Sequence, residues 1–451
     1  MIREAPRGQE APVLGSLPYL MREGMVSYIE RNWRARGDVF RARIGSAECL
    51  VTVHPDAARD VLKTKRANYV KGQAYDNFRL LVGNGLVTSE GDEWQRNRRI
   101  AQPVFVPRNL ESFLPVMDRA ATRMLARWRA RPDRGAPFDV HAEMTQVTLE
   151  IVAESLFGTQ TGADEVHGGA FADALHFLSA RGLQPIPIPL WIPTPTNRGV
   201  RSALARLDDV VYRVIREARS RAPSGARSFL SLLVSARDEI TGQGFDDPQL
   251  RDEVITMFLA GHETTALTLT WGLLLLADHP DVVARIREEA DAVLGSGPLT
   301  QAELDRLPYT SMVLDEILRL RSPVWSVARN AAADDEILGY RVRKGDTLFL
   351  PQLLVHRHPE FWDEPESFRP ERFAPGASAG RHPYAYFPFS AGPRVCIGNV
   401  FSLLESRLLL ARILREVTFT AVPGPEIVPV AEISMRPSGP VILRPAFLRG
   451  G

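Results

Sequence analysis

Along most of this chain apolar residues return every three or four positions, the interval of a helix packed on one face. The pattern predicts helices over 25–36, 56–65, 110–131, 142–157, 170–180, 201–219, 250–276 and 309–320, and another after Asn399 with apolar residues at 401, 404, 408, 411 and 414. Strand signals are fewer. Residues 38–44 and 48–53 read as a hairpin about Gly45-Ser46, 336–342 and 347–350 as strands joined at Lys344-Gly345, 322–329 as a strand, and the stretch beyond Val417 as strand-like. Alternating prolines over 184–197 predict an extended, polyproline-like run, because proline lacks the helix donor. The expectation is a mainly α fold with small β-sheets.

No linker or low-complexity run divides the 451 residues, so a single domain over 1–451 is expected. Hydrophobic residues at 45% and charged residues at 24% provide for a large core and argue against disorder. A net charge of +1, with arginines spread along the chain, argues against a nucleic-acid partner. The two cysteines, Cys49 and Cys396, allow no disulfide framework and point to a reducing compartment, the cytoplasm. The first residues are charged and broken by Pro6, and no run of roughly 18 apolar residues follows, so no membrane anchor is expected. The stretch 250–276 is the longest apolar helix, yet His262 and Glu263 at its centre and Arg251-Asp252-Glu253 at its entry exclude a membrane span. A helix apolar all round belongs in the interior of a large fold, where polar residues cost free energy unless they are used.

The candidate chemistry lies in a few short stretches. Residues 387–398 read Phe-Pro-Phe-Ser-Ala-Gly-Pro-Arg-Val-Cys-Ile-Gly, an irregular loop running into a helix. At such a place the unpaired N–H groups and the positive dipole end favour a thiolate at Cys396 over a thiol. Gly392 and Gly398 let the backbone lie close to a flat ligand, and Arg394 suits a ligand carboxylate. Trp94 and Arg98, at i and i+4, share a helix face that also suits a carboxylate. Glu316 and Arg319 are i, i+3 neighbours, and Ala260-Gly261-His262-Glu263-Thr264-Thr265 sets an acid beside an alcohol in mid-helix.

In this order the stretches resemble the cytochrome P450 family. Phe389-x-x-Gly392-x-Arg394-x-Cys396-x-Gly398 is similar to its haem-binding signature, and residues 260–265 to its oxygen-activation element. Trp94-x-x-x-Arg98 is similar to its propionate-binding element, and Glu316-x-x-Arg319 with Pro370-Glu371-Arg372-Phe373 to its structural E-x-x-R and P-E-R-F. The resemblance implies a triangular helical prism, with haem b between the long central helix and the cysteine-loop helix. It implies Cys396 as the iron ligand, haem contacts from Phe389, Gly392, Gly398 and Gly261, and propionate contacts from Trp94, Arg98, Arg329, Arg394 and Lys71. Glu263 and Thr264 would deliver protons, and Glu316, Arg319 and Arg372 would form a structural ion network. His262 fills the variable position of its motif and is not a ligand. Tyr75, Phe78, Met257, Ala260, Val324 and Trp325 are expected to line the substrate cavity, with His176, Phe177 and Trp191 as further contacts. The segment 184–197 would join two helices that roof the cavity.

The implied activity is a monooxygenase, most simply a monomer, using O2 and two electrons from a ferredoxin or flavodoxin served by an NAD(P)H reductase. It would hydroxylate or epoxidise a lipophilic small molecule of the fatty acid, terpenoid or steroid, or macrolide class. Two other readings are a peroxide-driven peroxygenase and, from another class, a haem-thiolate sensor or binding protein. Neither needs the Glu263–Thr264 pair.

Overall fold

A computed structural model describes residues 2–12, 14–44, 47–72, 75–158, 188–220, 228–295, 297 and 299–448. The chain divides into two compact units. One comprises Met1–Gly72, Ala121–Thr145 and Thr264–Gly451, the other Gln73–Ala120 and Gln146–Glu263.

The first unit carries the strands: β1 (Val39–Ile44), β2 (Ala47–Thr52), β3 (Tyr69–Val70), β4 (Phe138–Asp139), β5 (Val327–Ala331), β6 (Asp335–Ile337), β7 (Tyr340–Val342), β8 (Thr347–Leu350), β9 (Val417–Ala421), β10 (Pro429–Ala431), β11 (Met435–Pro437) and β12 (Ile442–Phe447). Its main sheet runs β1-β2-β8-β5-β3. The predicted hairpin forms, with Phe40 opposite Val51, and β8 then adds parallel to β2. Tyr28, Phe40, Leu50, Leu348 and Leu350 close the core of this sheet with no exposed surface. The span 336–342 is two strands rather than one: Leu338 (φ 51°) and Gly339 (φ 80°) turn the chain back so that β6 pairs with β7. Positive φ is cheap for glycine and rare elsewhere, and only the glycine is visible as a turn signal in sequence.

The cysteine helix, Asn399–Glu416, also belongs to the first unit, with Gly398 at its N-cap. Its predicted apolar face is buried at Phe401, Leu404, Leu408, Ala411 and Leu414, against the helices Pro280–Val293 and Pro308–Leu320. The central helix runs from Asp247 to Leu276, three residues earlier than predicted. Among the described residues no helix is long and apolar enough to cross a membrane.

Three other expectations change. Pro195 opens the helix Pro195–Ser220, since a proline in the first turn gives up an N–H that the helix does not use. Ahead of it the chain is turned rather than extended: Ile192 N donates to Pro189 O at 3.0 Å, and Asn197 Nδ2 to the Pro189 and Ile192 carbonyls at 2.9 Å. The stretch after Asn68, to which the apolar periodicity assigns no element, holds β3 and a helix, Asp76–Val82. The helix predicted over 56–65 winds wider from Asp60 to Thr64, as a π-helix. The predicted helix 170–180, with His176 and Phe177, and residues 184–187 lie outside the described residues.

Candidate haem-binding site

The loop before the cysteine helix is fixed from below. Phe387 N donates to Nε2 of His356 at 2.9 Å, and the two rings meet edge to face at 5.2 Å. Gly392 sits at φ 69°, and a Cβ there would lie 2.1 Å from the Leu62 carbonyl oxygen, so both torsion and space demand glycine. Cys396 N donates to Phe389 O at 2.9 Å, closing the loop two residues ahead of the helix N-cap. Cys396 is exposed, whereas Cys49 is buried in the sheet core. At Gly398 a Cβ would meet nothing within 4 Å, so the face beside the cysteine is open. Among the described residues no three His, Cys, Asp or Glu side chains gather as a metal cage.

Beneath the loop, Glu316 and Arg319 are wholly buried and paired through two contacts of 2.7 Å. Arg319 also donates to the carbonyls of His356, Pro365 and Ser367, at 3.1, 2.6 and 3.1 Å. Arg372 joins at 3.4 Å from Glu316, whose Oε1 also accepts the N–H of Arg369 at 2.8 Å. A buried pair so fully hydrogen-bonded holds three chain segments in register. Burial, with Arg319 and Arg357 nearby, lowers His356 to about 3, so the ring is neutral where it receives the Phe387 N–H.

The central helix is closed at Val254, Ile255, Phe258 and Leu259, and opens at Met257, Ala260, Gly261, Glu263 and Thr264. Met257, Ala260 and Thr264 are spaced three and four apart, one stripe of one face. Gly261 also has a packing reason: a Cβ there would meet Val152 Cγ2 at 2.9 Å, so the close approach to the helix Val140–Phe157 favours glycine. His262 is buried, and its Nδ1 donates to Phe258 O at 3.0 Å. One turn on, Thr268 and Thr270 return their hydroxyls to the Thr264 and Ala266 carbonyls, while Thr265 Oγ1 meets Ser402 Oγ of the cysteine helix at 3.1 Å.

The remaining candidates separate. Arg329 lies on β5, 6% exposed, with Nη1 donating to Ala328 O at 2.7 Å. Lys71 follows β3 and is half-buried, as is Arg394 in the cysteine loop. In the second unit Trp94 and Arg98 are half-buried on one face of the helix Gly91–Ala101, as their spacing predicts, and Tyr75 and Phe78 are half-buried about the start of Asp76–Val82. Val324 is 40% exposed, but Trp325 is not a wall residue. It is 5% exposed within the sheet core, its ring 5.4 Å from Phe349 and its Nε1 donating to Glu432 O at 2.8 Å. Trp191, 77% exposed, faces solvent. The sequence reading missed Asp252 and Glu253, which accept the N–H groups of Asn84 and Leu86 at 2.6 and 3.2 Å and so pin a glycine loop to the central helix. Gly83-Asn-Gly85 facing an acid pair was the available signal.

The cytochrome P450 family profile matches residues 6–444, both units included. The chain belongs to the cytochrome P450 family. This P450 is 32% identical to the cyclooctatin synthase of Streptomyces melanosporofaciens over 91% of this chain and 89% of that protein. It is 33% identical to the pentalenene oxygenase of Streptomyces avermitilis, over 93% and 92%. Among solved structures it is similar to the cytochrome P450DA heme domain, with TM-score 0.90, 29% identity and coverage of 100% of this chain and 98% of that one. It is also similar to retinoic acid-bound cyanobacterial CYP120A1, with TM-score 0.87, 27% identity and 99% coverage of both. The P450 is therefore a haem-dependent oxidoreductase, a monooxygenase that takes O2 and electrons and acts on a lipophilic substrate.

The residues present fit that cofactor. One exposed sulfur at a rigid loop beside an open glycine face, with no competing cage of donors among the described residues, suits a ring that brings four nitrogens and needs one protein ligand.

Proposed function

We propose that this P450 hydroxylates or epoxidises an apolar small molecule of the terpenoid class, taking its electrons from a separate ferredoxin or flavodoxin. The observation that carries this reading is the exposed Cys396 in a loop braced by His356 and Leu62. The relatives named for cyclooctatin and pentalenene favour terpenoids over fatty acids or macrolides. The continuous family match supports one catalytic domain over 1–451, and the cytoplasm, with its reductases, suits such a chain.

Cys396 would hold the iron, and Arg394, Arg329, Lys71, Trp94 and Arg98 would meet the propionates. Haem supplies oxygen activation. Met257, Ala260 and Val324 present apolar surface to the substrate and exclude water from it, while Glu263 and Thr264 hold protons at the open stripe of the central helix.

The test is made on haem-loaded protein. The reduced carbon monoxide adduct carries the thiolate-type absorption band, and Cys396→Ser abolishes it. Terpene hydrocarbons shift the resting haem band, and product forms with NAD(P)H and a ferredoxin chain. Product formed with peroxide alone would replace this reading by a peroxygenase, and band shifts with no product under either regime by a sensor.

A further inference from the structure

Tyr386 lies one residue before Phe387, at the entrance to the cysteine loop. Its Oη meets two oxygens of Asp315 on the helix Pro308–Leu320, the carboxylate Oδ1 at 2.9 Å and the backbone carbonyl at 3.0 Å. Aromatic rings surround the phenol: His356 at 5.3 Å, Phe373 at 4.9 Å and Trp362 at 6.3 Å between centres, and His356 in turn meets Phe387 of the loop. Packing accounts for the rings. It does not call for a carboxylate at the phenol, and none of the roles assigned above uses one.

Loss of an electron turns a phenol into a strong acid, so a tyrosine is a good electron donor where a base within hydrogen-bond reach takes the proton. Asp315 is such a base. Burial raises its carboxyl to about 6, against the Tyr386 hydroxyl and Arg407 of the cysteine helix and with help from Glu316 beside it. It is therefore ionised at neutral pH yet more basic than an ordinary aspartate. Burial and the Asp315 charge push the phenol above its usual range, so it keeps its proton until it is oxidised. Tyr69 offers the contrast. Its Oη also meets a carboxylate, Asp335 Oδ2 at 2.7 Å, but there burial is outweighed by Lys65 at 2.9 Å and the carboxyl is lowered, a poorer base. Trp362 is disfavoured on other grounds. Its Nε1 donates to the Ala385 carbonyl, which cannot keep a proton, and the guanidinium carbons of Arg381 and Arg319 lie 4.1 and 4.9 Å from its ring centre, so a further positive charge there is costly.

We propose that Tyr386 and Asp315 form a redox-active pair that returns one electron to the haem when an oxidising equivalent is left there without substrate. The phenol O–H bond breaks: the electron goes to the haem and the proton to Oδ1 of Asp315, leaving a neutral tyrosyl radical hydrogen-bonded to a neutral carboxylic acid. A one-electron reductant in solution, ascorbate or a thiol, reverses the step by refilling the phenol as Asp315 gives the proton back. The pair rests on the haem-thiolate reading and acts when that chemistry goes astray.

The test mixes haem-loaded, substrate-free protein with hydrogen peroxide and reads the frozen mixture by electron paramagnetic resonance. Each peroxide takes up two electrons and two protons to become two waters, and Tyr386 makes good one of those electrons. A tyrosyl signal narrowed by ring-deuterated tyrosine is expected. It should fall by about tenfold or more in Tyr386→Phe and in Asp315→Asn, and persist in Tyr69→Phe. In the wild type it should fall as pH drops through about 6, where Asp315 is already protonated, and this dependence should be absent from Asp315→Asn. A packing role would give no such profile, and should Tyr386→Phe fail to fold, the wild-type profile decides the matter: a signal unchanged through that range overturns the pair. The reduced carbon monoxide band of the same preparation separates the two readings. A thiolate-type band with no tyrosyl signal, or with one that survives in Tyr386→Phe, overturns the pair alone; an imidazole-type band overturns both.

Discussion

Nε2 of His356 accepts the backbone N–H of Phe387 at 2.9 Å, so the entrance to the cysteine loop hangs on an imidazole that is neutral when folded. The ring is lowered from 6.5 to about 3, chiefly by burial. Between those values the unfolded chain binds the extra proton, so the stability this group contributes is present above about pH 6.5 and is lost as pH falls toward 3. The loss is about 1.4 kcal/mol per pH unit. Asp315, raised to about 6 by burial, acts in the opposite sense between 3.8 and 6. Asp315 is common to the wild type and His356→Gln and drops out of their difference, so the stability of the wild type relative to the variant is expected to fall by about 1.4 kcal/mol per unit as pH drops from 6.5 toward 3. Equal slopes would mean that the imidazole does not carry the acid sensitivity.

Removing Arg319 from the buried network leaves Glu316 with Arg372 alone, at 3.4 Å, in place of the two contacts of 2.7 Å. Arg319→Met, with Glu316 left behind, is expected to lose about 3–5 kcal/mol in denaturant unfolding. Replacing both residues by apolar ones of similar size should lose less. A smaller loss in the single variant than in the double would contradict the assignment.

Val324 is exposed and the adjacent Trp325 buried, and their variants should separate. Trp325→Ala removes a core side chain and should cost about 3–5 kcal/mol in stability. Val324→Phe should leave stability within about 1 kcal/mol, as at other exposed sites, but shift the apparent affinity of apolar ligands, read from the haem band, by about tenfold. Matching effects from the two variants would rule out the split.

Thr264→Ala should keep the thiolate-type carbon monoxide band while product per electron falls by about tenfold or more, the scale of a lost proton-handling group. Unaltered coupling would remove Thr264 from proton delivery.

The sequence made the helices legible wherever an apolar face met a clear end, as at Asn399–Glu416, and it placed the cysteine loop because glycine, proline and cysteine announce themselves locally. It misjudged Trp325, since an indole in a strand reads the same whether it faces a cavity or Phe349 and the Glu432 carbonyl. It joined β6 and β7 because Leu338, in positive φ, carries no mark of it. The role of His356 was invisible for a related reason: its partner is a backbone N–H supplied by a residue 31 positions away.

The contact that Gly261 keeps with Val152 ties two helices at the level of a single methyl group. Any redesign that adds bulk at one must subtract it at the other, so Gly261→Ala should be tolerated only alongside Val152→Ala. Natural divergence at these positions would then proceed by compensated exchange, leaving the axis of the central helix in place while the stripe beside it, at Met257 and Ala260, is free to vary with the substrate.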